Sequence, residues 1–327
     1  MKITDHALNV LTARTFKGIG DAWINTNITS QLPFEVIVDL IKNKDAQASE
    51  EAFLKMKNRL TALIEGLGNS CDGVVAIGDD KFPKLRRNLK KKGDLPSFLF
   101  YKGDLDLLST DNLNVTVIGV LNPDKSTEAD ENKVVEYFVN NNATILSGLA
   151  NGCDSIAHRK ALALNAKTVA ILPSPLNNIL PAQNTALAHQ IVEEQGLLIT
   201  EYLTSPTNFR DQAGRYVRRD RLQALFSDLV VLSSSYDSDS IDPNNPKPDS
   251  GARHAMAKAK EYEISRAVIY NEIYHSNPKY DLNRSIIQED GPKAIIIDPD
   301  NIAGSLKDKL DNLNTNSVIP EQVGLGL

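Results

Sequence analysis

Apolar positions follow two rhythms along this chain. Over residues 1–75 they recur at three- and four-residue spacing, in Ala7–Phe16, Leu32–Lys42 and Ser49–Leu67, which predicts amphipathic helices. Phe16–Asp21, with Gly18 and Gly20, reads as a turn: either a helix C-cap or backbone amides offered to a DNA phosphate. From Val74 the rhythm changes to short β-branched runs. Val74–Ile77, Ser97–Tyr101, Val115–Ile118, Thr144–Ser147, Thr168–Leu172, Leu197–Thr200, Leu229–Leu232, Ala267–Tyr270 and Ala294–Ile297 are predicted strands. Helical spacing fills the gaps at Glu128–Asn140, Asp154–Leu164, Thr185–Gln195, Arg218–Phe226, Gly251–Glu261 and Asn301–Leu313.

Strands that are apolar on both faces and separated by helices predict an α/β fold, a parallel sheet covered on each side. Ligands of such sheets sit outside the carboxyl ends of the strands. The loops of interest are therefore 119–127, 148–154, 173–184, 201–215 and 233–250. The last is polar and proline-rich, and is expected to be a mobile surface excursion. The most informative is the second. An apolar run ends in Ser147-Gly148-Leu149-Ala150-Asn151-Gly152, and a helix follows at Cys153-Asp154. Glycines at a strand-to-helix turn allow close approach of a ligand, and a helix start directs N–H groups and positive dipole at it. The turn reads either as an anion cradle or as an ordinary capped loop, since its glycine spacing is neither a P-loop nor a dinucleotide fingerprint.

Composition narrows the class without identifying it. The 327 residues are 41% hydrophobic and 24% charged, as in globular proteins, and no apolar run is long enough to span a bilayer. No secretory signal is visible at the N-terminus, and Cys71 and Cys153 form neither a disulfide framework nor a metal cluster, which points to the cytoplasm. A net charge of −6 excludes a generic polyanion coat but hides two basic stretches. Lys81–Lys92 carries seven Lys/Arg and no acid; Arg215–Arg221 carries four Arg, one Asp and Tyr216. Each is either a solvated face or part of a nucleic-acid surface.

Taken in order, several segments resemble the DprA/Smf family of DNA-processing proteins, within the SLOG superfamily. Asp80-Lys81-Phe82-Pro83-Lys84-Leu85 is similar to D-x-x-Y-P-x-x-L, and Pro96 through Asp104 to the P-x-x-L-Y-x-x-G-(N/D) strand. Ser147–Asp154 with Ala157-His158 and Ala161-Leu162 is similar to S-G-L-A-x-G-I-D…A-H…A-L, the most specific element. Gly196–Tyr202 resembles G-x-L-I-S-E-Y, Tyr216–Arg221 with Ser227–Val231 resembles F-P-x-R-N-R…S-D-x-V-x-V, and Ser250-Gly251 matches the start of the last core helix.

The resemblance implies a Rossmann-like, doubly wound, mostly parallel sheet at 76–315, preceded by a small helical N-terminal domain at 1–75 and followed by a tail at 316–327. It implies single-stranded DNA as ligand, a RecA-type recombinase as partner in natural transformation, a homodimer, and neither catalysis nor a cofactor. By position, Ser147, Gly148, Asn151 and Gly152 would face a phosphate, Arg218, Arg219 and Arg221 would supply positive charge, and Tyr216 a stacking face. The chain also departs from the family. Gly119 is followed by Val120-Leu121 in place of a basic residue, the loop at 172–181 has prolines in place of glycines, and Asp220 stands between Arg219 and Arg221. These changes favour an alternative, a binder or processor of a nucleotide-like small molecule in stress or phage defence. No catalytic or metal-binding set is legible: Asp154 and His158 share a helix face but read as a helix-start acid and a packed histidine.

Overall fold

A computed structural model describes residues 1–246, 248, 249, 251–307 and 309. Ser250 and the tail at 316–327 lie outside the described residues, as does most of the predicted helix beyond Lys307. The chain opens with strand β1 (Lys2–Ile3) and four helices, α1 (Asp5–Ala13), α2 (Asp21–Asn27), α3 (Phe34–Lys42) and α4 (Glu50–Glu65). Strands β2 (Gly73–Ala76) and β3 (Phe98–Gly103) follow. Then strands and helices alternate: β4 (Asn114–Ile118), α5 (Lys125–Asn140), β5 (Thr144–Ser147), α6 (Cys153–Ala163), β6 (Thr168–Leu172), α7 (Thr185–Glu193) and β7 (Leu197–Thr200). The chain continues through α8 (Phe209–Leu225), β8 (Leu229–Leu232), α9 (Arg253–Glu261), β9 (Ser265–Ile269), α10 (Asp281–Asp290), β10 (Ile295–Ile297) and α11 (Ile302–Leu306).

All ten strands form one sheet in the order β1-β2-β3-β7-β6-β5-β4-β8-β9-β10. It is parallel except for β3, which runs antiparallel to both β2 and β7. The order grows leftward from β4 through β7 and then restarts on the other side with β8. That reversal makes the β4–β8 boundary the topological switch point, where loops leaving neighbouring strands part and open a crevice.

Alternation along the strands explains the double winding. Val169 and Ile171 face the side covered by Leu222, Leu225, Met256 and Ile286 of α8, α9 and α10. Ala170 and Leu172 face the opposite side, under Leu187 and Ile191 of α7. Val115, Val117 and Ile145 lie on that second side against Val134, Phe138 and Ala161 of α5 and α6. The N-terminal helices share their apolar core with the sheet: Val10, Ile24, Ile37 and Phe53 cluster with Val74, Phe100 and Leu198.

Candidate nucleic-acid interface

The turn after β5 has the expected shape, but two of its donors are committed to a carboxylate of the chain itself. Asp154, in the first turn of α6, reaches back so that one carboxylate oxygen accepts from the backbone N–H of Gly148 at 3.1 Å and of Ala150 at 3.2 Å. Ser147 turns its hydroxyl inward and donates to the carbonyl of Val117 at 2.7 Å. Gly148 is required because a Cβ there would stand 1.3 Å from Nη1 of Arg219. Gly152 has φ +72°, and its Cβ would stand 2.3 Å from the carbonyl of Val120. The glycines thus admit the protein's own groups. Asn151 is exposed at the turn's tip, where its side-chain oxygen accepts from Asn184 Nδ2 at 3.3 Å.

Of the α8 arginines, Arg219 lies against this turn, while Arg218 and Arg221 meet acids elsewhere, and all three are engaged in ion pairs. Arg219 is 4% exposed, with Nη1 3.8 Å from Asp154 and Nε 3.5 Å from Asp220. The Gln223 amide joins them, its oxygen facing Gly148 N–H and Arg219 Nη1 and its nitrogen facing Asp220. Arg221 is 3% exposed and forms a two-pronged pair with Glu201 at 2.5 and 2.7 Å, while its Nε–H donates to the carbonyl of Asp94 at 2.8 Å. It is a strut between the end of β7 and α8, with no face left for a phosphate. Arg218 is the accessible member, half-buried and paired with Asp21 of α2 and, at 3.9 Å, with Glu201. The sequence pattern of Arg218–Arg221 is that of a basic cluster because the acids that neutralise it come from elsewhere in the chain.

At the switch point lies a cavity of about 300 Å³. Its walls include Gly119 after β4, Asn151 and Asp154 after β5, and Tyr216, Arg219 and Asp220 of α8. Asp249 and Ala252, before α9, close it. Tyr216 is half-buried, with the Arg219 guanidinium 5.8 Å from its ring centroid. Three carboxyl groups face one guanidinium here. Burial pushes Asp220 up to about 7, with Arg219 pulling it down and Asp154 and Asp249 adding to the rise. Burial raises Asp154 too, opposed by Arg219 and the two backbone N–H groups. Behind the turn, burial drives His158 down to about 3, so it is neutral; its Nδ1 lies 2.7 Å from the hydroxyl of Thr168. Beneath the crevice Glu131 is fully buried, accepts from the Ser233 hydroxyl at 2.6 Å, and is pushed up to about 8 by desolvation. No group of three or more His, Cys, Asp or Glu suited to a metal ion occurs among the described residues.

Both basic stretches and the last loop differ in detail from the sequence expectation. Arg86 of the Lys81–Lys92 run is wholly buried, donating to the carbonyls of Leu108, Ser109 and Asn112 and pairing with Asp228. Lys90, Lys91 and Lys92 are exposed. Asn25 Nδ2 donates to the carbonyl of Lys92 at 3.1 Å, which sets this lysine strip beside α2 and hence near Arg218. The loop at 233–250 is no loose excursion where it leaves β8. Ser233 through Tyr236 are buried, Tyr236 donates to Asp242 at 2.7 Å, and Asp237 accepts from Ser285 of α10 at 2.6 Å. Asp21 and Asp249 are residues of this region that sequence reasoning did not select.

A mostly parallel, doubly wound sheet with a cavity at the strand-order reversal defines a Rossmann-like α/β protein. Residues 73–242, just over half of the chain, match the family model for DNA recombination-mediator protein A, and the chain belongs to that family. It is 30% identical over 160 residues to protein Smf of Borreliella burgdorferi, covering 49% of this chain and 48% of that protein. Against the DNA processing protein DprA of Bacillus subtilis it is 25% identical over 206 residues, covering 63% and 66%. The chain therefore spans about two thirds or less of these curated relatives. Among solved structures, the DNA processing protein A of Streptococcus pneumoniae shares the fold, with a TM-score of 0.66 at 24% identity over 90% of this chain and 95% of that one. The Helicobacter pylori DNA processing protein A, solved in a study of its single-stranded DNA binding mode, aligns with a TM-score of 0.56 at 26% identity, covering 73% and 96%.

Proposed function

We propose that this chain is a cytoplasmic single-stranded DNA-binding protein that acts in DNA processing as a recombination mediator, delivering the strand to a RecA-type recombinase as a homodimer. The observation that carries the reading is the family match across 73–242, on a fold shared with the Helicobacter pylori protein. No helix among the described residues is long and apolar enough to cross a membrane, which is compatible with that setting.

The phosphate contacts move in this reading from the glycine turn to the surface beside it. The amides of Gly148 and Ala150 serve Asp154, and Arg219 and Arg221 are buried in pairs. The strip of Lys90, Lys91 and Lys92 together with Arg218 supplies the accessible cations that a sugar–phosphate backbone needs. Fluorescence anisotropy of a labelled oligonucleotide against salt tests it. Affinity is expected to fall log-linearly with salt, and replacing the three lysines by Ala should flatten the slope by about two, at about 0.7 per phosphate contact on a single strand. Unchanged affinity and slope in that variant would move the interface elsewhere. Absence of salt-dependent binding by the full chain would end the reading.

A second reading, a binder of a nucleotide-like small molecule, is favoured by the cavity itself. Its volume of about 300 Å³ lies at the lower end of the range for small-ligand sites. Thermal-shift screening with nucleosides and nucleotides separates the two: stabilisation by a free nucleotide with no binding of oligonucleotides would favour the small-ligand reading.

A further inference from the structure

The first turns of α8 carry an aromatic and cationic surface that the fold does not use. Phe209, Arg210, Ala213, Gly214 and Val217 are all exposed, and their recurrence at every fourth position sets them along one side of the helix. Phe209 is 84% exposed and Val217 47%. This is not the exposure of a loose helix end. Asn208 caps the helix, its side-chain oxygen accepting from the N–H of Asp211 at 2.9 Å. Arg215 fastens the segment from the other side. It pairs with Asp211 at 3.0 Å, donates to the carbonyl of Thr204 at 2.6 Å, and lies 4.4 Å from the ring centroid of Tyr202. Phe209 is therefore held out in water on a fixed support, its apolar area unburied.

Arg210 beside it makes no hydrogen bond or ion pair among the described residues. The one acid of the segment, Asp211, is already matched by Arg215. Between Phe209 and Val217, Ala213 and Gly214 project little, and a Cβ built on Gly214 meets no atom within 4 Å. The result is a shallow bed with an aromatic ring and that guanidinium at one end. Arg218, the accessible cation of the proposed phosphate surface, lies about 12 Å further along the same helix at 1.5 Å per residue.

We propose that this stretch of α8 is a second contact for a single strand, in which a base stacks on Phe209 and Arg210 meets the phosphate beside it. The inference rests on the single-stranded DNA reading and lengthens the surface which that reading assigns to Lys90–Lys92 and Arg218. An aromatic face next to a guanidinium matches an unpaired nucleotide, which offers both a base face and a phosphate. A duplex offers phosphates but keeps its base faces stacked. Phe209 and Arg210 lie between the segments Gly196–Tyr202 and Tyr216–Arg221 that resemble the family's pattern, so neither is a motif position.

The test titrates the full chain against labelled oligo-dT and a duplex of the same length by anisotropy. Phe209→Ala should weaken oligo-dT binding about tenfold at an unchanged salt slope, as expected for one lost base stack, and leave duplex binding as it was. Arg210→Ala should lower the slope by about 0.7, one phosphate contact. Phe209→Trp adds a second tryptophan to a chain whose one is Trp23, so the emission gained over the parent should be quenched by oligo-dT and not by the duplex. Unchanged oligo-dT affinity in Phe209→Ala, with unquenched emission in Phe209→Trp, would overturn this contact and leave strand binding by the parent intact. Loss of a dimer in sedimentation of Phe209→Ala, at unchanged affinity, would overturn it in favour of a second copy of the chain covering the ring. Absence of salt-dependent oligonucleotide binding by the parent would overturn both the contact and the reading beneath it.

Discussion

Glu131 on α5 gives the most direct test of the electrostatics beneath the site. Its side chain is fully buried below the β4–β8 crevice, its hydrogen-bond partners are the neutral Ser233 hydroxyl and Cys153 thiol, and it forms no ion pair among the described residues. Desolvation therefore holds the carboxyl in its neutral form until about pH 8, against an ordinary value of 4.5. Below pH 4.5 the group is protonated in both folded and unfolded chains and has no effect on stability. Above that the unfolded chain releases the proton while the folded one retains it, so stability falls with rising pH and levels off once the folded value is passed. At pH 7 the interval is about 2.5 pH units, and at about 1.4 kcal/mol per unit the native state loses about 3 kcal/mol. Glu131→Gln keeps the shape and cannot ionise. It should match the wild type within about 1 kcal/mol at pH 5 and exceed it by about 3 kcal/mol at pH 7, with the gap widening by about 1.4 kcal/mol per pH unit between. Urea titrations at pH 5, 6, 7 and 8 read this directly. Asp220 and Asp154 titrate in the same direction, so the wild-type curve alone is not diagnostic; the difference between the two proteins is. A pH-independent difference would show that Glu131 is already ionised in the fold, and the account of the crevice floor as uncharged would be wrong.

Three further outcomes follow from the same structure. Gly148→Ala should cost about 1–3 kcal/mol, measured as a fall in urea midpoint at unchanged m-value, because the new methyl displaces the buried Arg219 head from Asp154 and Gln223. Arg86→Ala should cost about 3–5 kcal/mol, since it strands Asp228 and the carbonyls of Leu108, Ser109 and Asn112; a loss under 1 kcal/mol in urea would contradict the clamp. Asp21→Asn releases Arg218 from the carboxylate that competes with phosphate, so oligonucleotide affinity at low salt should rise several-fold; an unchanged anisotropy titration would place Arg218 outside the interface.

The central strands were legible in the sequence almost residue by residue. Thr168–Leu172, Leu197–Thr200 and Leu229–Leu232 are observed with the predicted bounds because each is a buried apolar run stopped on both sides by polar or turn residues. The direction of β3 was not, since period-two alternation is the same for parallel and antiparallel pairing. Helix α2 escaped because Asp21–Asn27 is mostly polar; Ile24 and the Asn25 bonds to the carbonyls of Lys92 and Leu95 hold it in place. Helix α10 escaped because Leu282 and Ile286 are its main apolar anchors, while buried Asn283 donates to the carbonyl of Ser233. The predicted start of α8 at Arg218 was late: residues 209–217 form a polar, mostly solvent-facing extension capped by Asn208. Here local capping, not apolar periodicity, sets the boundary.

The site was harder to read than the fold for one physical reason. A guanidinium's availability depends on partners that pairing brings from distant sequence, and no local pattern encodes them. Arg218 meets Asp21 across 197 positions, and Arg86 meets Asp228 across 142. Asp220 was the exception, visible as a carboxylate set between two arginines where the family pattern has an amide. That single exchange links the rest. It places an acceptor beside Arg219 and brings the carboxyl groups lining the cavity to three against one guanidinium. At Gly148, one of the four turn positions that the family resemblance assigns to a phosphate, the backbone N–H is given to an internal anion, Asp154, which also takes the N–H of Ala150.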